Sequence, residues 1–158
     1  MASTQTEEIK ERLADYTAML RHIDNQIERL ERLEATIGSP STPNLSGMPS
    51  GGGDGTSKIE RQVVRKLELE ENIKAAIQRE RAEYKELAAM VEQMKNPDER
   101  LVIEMRYFDR EDWPSICEAL YCGQVDFTEK LEKYTRKAYS VHGSALLSLS
   151  YIMEPTKE

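Results

Sequence analysis

At 158 residues the chain is long enough for one ordinary domain, or for a small domain joined to an elongated helical element. Hydrophobic residues at 39 % against 32 % charged give a thin core and broad solvated faces, which favours the second arrangement, an all-α chain with much long helix. The net charge is −7; a polar and acidic start from Met1 to Glu8 and no apolar run near the ~18 residues of a membrane span argue against a membrane span and a secretory leader, so the expected location is cytoplasmic.

Thr4 and Glu7 have the spacing of a capping box. Beyond them Ile9, Leu13, Tyr16, Leu20, Ile23, Ile27, Leu30 and Ile37 alternate by four and three, broken only by Glu34. That is a heptad seam, and it predicts a coiled-coil helix over residues 1–37. Residues 38–57 collapse into Ser, Pro, Gly, Asn and Asp and read as a flexible linker. Its glycines are no phosphate loop, because Gly55-Thr56-Ser57-Lys58 has the wrong order and no strand precedes it.

Ser57 and Glu60 then open a second coiled-coil helix over 58–95, through Ile59, Val63, Leu67, Ile73, Ile77, Tyr84, Leu87, Val91 and Met94. Lys66 and Glu70 occupy expected apolar positions in its first half. A long linker lets this helix fold back antiparallel on the first, and pairing between chains would bury the same side chains. Asn96-Pro97-Asp98-Glu99 combines an N-cap, a proline at the first helical position and acids over the helix dipole, so a helix must start there. It ends near Asp109, and Asp112 caps a short helix holding Trp113, Ile116, Ala119 and Leu120. Tyr121-Cys122-Gly123 reads as a turn, and a last helix is predicted from Asp126–Thr128 onward. Three helices of unequal length over 96–152, the middle one short, have the form of a helix-turn-helix.

Charge distribution qualifies the acidic total. Residues 1–57 carry five basic and nine acidic side chains, 58–95 nine and eight, and 96–158 eight and twelve. Between 130 and 142, however, Lys130, Lys133, Arg136 and Lys137 face only Glu132, a local excess of +3. A DNA duplex is the partner such a patch fits, since phosphates are bound by Lys and Arg. Arg136 and Lys137 are the leading candidates for phosphate or base contact, with Lys133, Ser140 and Ser144 beside them. Cys117 and Cys122 are expected as reduced thiols, without the further ligands of a zinc site. His142 is read either as a donor to a phosphate or, the favoured reading, as packing against Trp113, and His22 is expected to be exposed. No catalytic constellation and no cofactor motif is visible, so the chain reads as a non-enzyme.

The run Arg100–Leu120, with Met105-Arg106-Tyr107-Phe108 followed by Trp113 and Ile116, resembles region 4 of sigma-70 factors. Tyr139–Leu146 is similar to the recognition helix of sigma-70 region 4-like regulators of phages and prophages. The linker segment Leu45-Ser46-Gly47-Met48-Pro49, between two coiled-coil helices, looks like the same family. The resemblance, which extends to ArpU-type late-gene activators, implies a DNA-binding transcriptional regulator of a phage or prophage, acting in the bacterial host cell and in contact with host RNA polymerase; a homodimer is expected on physical grounds, since two small cationic patches multiply the phosphate contacts. Gln124–Lys133 is an addition relative to shorter relatives, and Ser140 stands where a basic residue is frequent. The alternatives are a small terminase-like DNA-packaging subunit and a non-DNA-binding coiled-coil interaction protein.

Overall fold

A computed structural model describes residues 2–38 and 55–153 of the chain. Among them every regular element is helical: α1 (Ala2–Gly38), α2 (Gly55–Glu92), α3 (Pro97–Ile103), a single wide π turn (Glu104–Phe108), α4 (Trp113–Tyr121) and α5 (Leu131–Met153). None of these helices is long and apolar enough to cross a membrane. Most of the predicted linker lies outside the described residues. Helix α1 already starts at Ala2 and α2 at Gly55, so neither the Thr4 nor the Ser57 capping box marks a helix boundary.

The described residues fall into two compact units, one within Met1–Ala18 and Arg81–Glu158, the other within Met19–Glu80. In the first unit, α1 buries Ile9, Leu13 and Tyr16, α2 buries Leu87 and Val91, and Met94 follows. Arg12 ties the two helices: its Nε donates to Glu83 Oε1 at 2.6 Å and its Nη2 to Glu86 Oε2 at 2.6 Å. The bond to Glu83 holds the guanidinium pKa above its ordinary value, against partial desolvation, and Coulombic attraction to both carboxylates adds to it. Tyr16 and Tyr84 receive Phe108 edge-on, with centroids at 5.8 and 5.0 Å.

Asn96 caps α3 as its sequence requires, its side-chain oxygen accepting from the N–H groups of Asp98 and Glu99. After Ile103 the helix widens, and Asp109 N–H closes onto Glu104 O, five residues back. Arg110 adopts a left-handed backbone (φ 58°), which reverses the chain and lets Glu111 N–H reach Met105 O. Asp112 then caps α4 by accepting from Ser115 N–H, and hydrogen bonding from the Ser115 side chain and then its backbone holds the carboxyl below the usual range. Helix α5 packs on α3 and α4. Its inner face carries Tyr134, Ala138, Ala145, Leu146 and Leu149, set against Val102, Ile103, Ile116 and Cys117 among the buried residues of the same unit.

In the second unit the buried apolar residues are Ile23, Leu69, Ile73 and Ala76. Ile59, Val63 and Leu67, expected in the seam of α2, are exposed instead, as is Ile27 of α1. Leu69, absent from the expected seam, is buried in the same stretch of α2. Lys66 is half-buried along its stem, with its ammonium 3.8 Å from Glu34 and 3.9 Å from Glu70.

Candidate functional site

Lys133, Arg136, Lys137, Ser140 and Ser144 are all exposed, on successive turns of α5. Their spacing of three, one, three and four residues places them on one face. The opposite face is the buried stripe from Tyr134 to Leu149. A helix held so firmly on one side presents the other as a rigid row.

Tyr134, almost fully buried, organises the start of this row. Its ring packs at a tilt against Tyr121 and Phe127, with centroids at 5.1 and 5.9 Å. Its hydroxyl donates to Asp126, which lowers the pKa of that carboxyl and raises that of the phenol. The ammonium groups of Lys133 and Lys137 lie 5.4 and 5.3 Å from the same ring. Cation–π attraction thus restrains both lysines beside one another. Asp126 lies 3.6 Å from Lys130 and also attracts Lys133, so it offsets part of the positive charge at the start of the row. Arg136 reaches Glu132 at 3.9 Å, but with both side chains largely in water this pair is worth little and leaves the guanidinium available. The positive surface predicted from the sequence is therefore exposed and only lightly compensated.

Residues 122–130 form a succession of turns, where the sequence placed the beginning of the last helix. Asp126, read as a possible helix start, is engaged by the Tyr134 hydroxyl, and α5 begins at Leu131. Sequence reasoning missed Tyr134 as the shelf beneath two lysines, although its position, next to one and three residues from the other, was the available signal. It also missed Arg106, whose guanidinium lies 5.1 Å over the Trp113 ring.

Trp113 meets Tyr139 and His142 edge-on, at 4.7 and 5.1 Å. His142 packs as expected, and its Nε2 lies 2.8 Å from the Tyr107 hydroxyl, a bond the neutral imidazole can accept. Burial, reinforced by the positive charges of Arg106 and Lys10, pushes its pKa down to about 4. The unfolded imidazole takes a proton below about pH 6.5, whereas the folded one resists until about 4, so the stabilisation is complete above 6.5 and lost as pH falls towards 4. Across that window the loss should be on the order of 1–2 kcal/mol, after allowance for partial exposure. Denaturant melts at pH 7 and 4.5 check this: His142→Gln should show a smaller loss than the parent, and equal losses would refute the assignment.

Cys117 is a buried free thiol and Cys122 an exposed one, and His22 is exposed. Among the described residues no group of three or more His, Cys, Asp or Glu could hold a metal ion.

No curated protein and no solved structure matches the chain. Residues 50–139 match the family described as protein of unknown function (DUF1492). The match runs from the start of α2 through α3 and α4 to the row of cations on α5, more than half of the chain, and the protein belongs to the DUF1492 family.

Proposed function

We propose that this protein is a DNA-binding transcriptional regulator of a phage or prophage, acting on late genes, in which α3 with the π turn, α4 and α5 form a sigma-70 region 4-like helix-turn-helix. The observation that carries the reading is the exposed row Lys133, Arg136, Lys137, Ser140 and Ser144, on a helix whose other face is buried. Such a row suits the major groove, where Lys and Arg neutralise phosphates and hydroxyls bond to phosphate or base edges. Helices α1 and α2 form a coiled-coil hairpin in this reading. Arg12 meets Glu83 and Glu86 in one unit and Glu34 meets Lys66 in the other, pairings that fit two antiparallel helices. Ile59, Val63, Val64 and Leu67, apolar and exposed on α2, supply a surface for homodimerisation, which doubles the phosphate contacts available to one small patch.

The test is binding to promoter fragments of the phage or prophage by mobility shift at several salt concentrations, with the mass measured by light scattering. A dimer whose affinity falls steeply with salt is expected. Absence of DNA binding would sink the reading, and a ring of many protomers would favour the packaging alternative.

A further inference from the structure

We propose that the unit Met19–Glu80 carries a second, separate ligand site: a groove between α1 and α2 that binds a nucleotide through its phosphates. The groove has a volume of about 500 Å³, within the range of small-molecule sites and far larger than one phosphate needs. Arg29 and Arg32 from α1 and Arg65 from α2 line it together with Glu68, and Arg32 is also paired with Glu28 at 2.7 Å, so one positive charge is in excess. Guanidinium groups bind phosphate oxygens through paired, charge-assisted hydrogen bonds, and drawing them from two helices lets them grip one anion from both sides.

The rest of the lining fits the remainder of a nucleotide. Leu33 and Leu69 offer an apolar floor for a heterocycle, and the side-chain amides of Gln26 and Asn72 provide donors and acceptors for its edge. Two of the arginines are already oriented. Arg29 Nη1 donates to Gln26 Oε1 at 3.1 Å, and Arg32 Nη2 to Glu28 Oε1 at 2.7 Å. Arg65 makes no ion pair with any described residue and is exposed, so its fork is available to an incoming anion. The site is independent of the cationic row on α5, which belongs to the other unit. Its ligand is a free nucleotide or a nucleotide unit of a single strand, the phosphate and base chemistry being common to both.

Isothermal titration of the full chain with ATP, GTP, CTP and UTP, with a short oligothymidylate and with inorganic triphosphate tests it. At least one nucleotide or the strand should bind more tightly than triphosphate alone. Arg65→Ala should weaken that binding by about tenfold or more, the value of one charge-assisted hydrogen bond, with thermal unfolding unchanged. Lys133→Ala/Lys137→Ala should bind the free nucleotides as the parent does, the strand being left out of this control because the α5 row also neutralises phosphates. Free nucleotide and strand binding with the same Arg65 dependence would both support the site, and which is tighter names the source. No binding by any probe, equal binding of triphosphate, indifference to Arg65→Ala and Arg29→Ala, or loss of free-nucleotide binding in the Lys133/Lys137 variant would each overturn it.

Discussion

Ile116→Ala is expected to cost about 2–5 kcal/mol of stability and to lower the melting midpoint by roughly 10 °C, because Ile116 is fully buried on α4 and its truncation leaves a cavity that close-packed neighbours cannot fill. The chain's one tryptophan makes the measurement specific. Trp113 starts α4, lies beneath Arg106 and meets Tyr139 and His142 edge-on, so its fluorescence follows the unit that contains Ile116, while far-ultraviolet circular dichroism follows all of the helices. The Trp113 transition should move down with the substitution. A variant melting at the parent's temperature by fluorescence would show that α4 is not packed as described.

Removing the cationic row should have a large effect on DNA binding and almost none on folding. Lys133→Ala/Arg136→Ala/Lys137→Ala is expected to weaken binding to duplex DNA by about a hundredfold or more and to reduce the slope of log affinity against log salt by about 2.7, since each neutralised phosphate contributes about 0.9. All three side chains are exposed, and the pairing of Arg136 with Glu132 is weak, so stability and Trp113 emission should match the parent. Unchanged affinity would remove α5 as the contact helix. A proportional loss without a change in salt slope would point to a role other than phosphate neutralisation.

Much of the fold is legible in the sequence, where a local rule acts alone. Asn96 and Pro97 fix the start of α3 because the cap, the missing N–H and the acidic first turn agree. The first half of the α1 seam, Ile9, Leu13 and Tyr16, is buried at the positions its spacing assigns. The register of α2 was less readable. An apolar pattern nominated Ile59, Val63 and Leu67, but a lysine stem can cover apolar surface while its ammonium reaches Glu34 and Glu70, so a seam through Lys66 and Leu69 is physically acceptable. The start of α5 was misplaced for a comparable reason. Asp126 is a good capping residue by type, and only the tertiary approach of Tyr134 reveals that its oxygen is engaged elsewhere. The exposed row was visible from charge alone, whereas the shelf beneath Lys133 and Lys137 depends on ring packing that no spacing rule reports.

The widened winding between Glu104 and Phe108 sets how two adjacent aromatics are shared out. Phe108 goes to the tyrosines of the long helices, and Tyr107 goes to the imidazole of α5. One residue of extra backbone within a single turn thereby lets neighbouring side chains serve opposite clients. Excising that residue would restore regular pitch and re-aim both rings at once, so length in this short stretch is constrained as tightly as amino-acid identity.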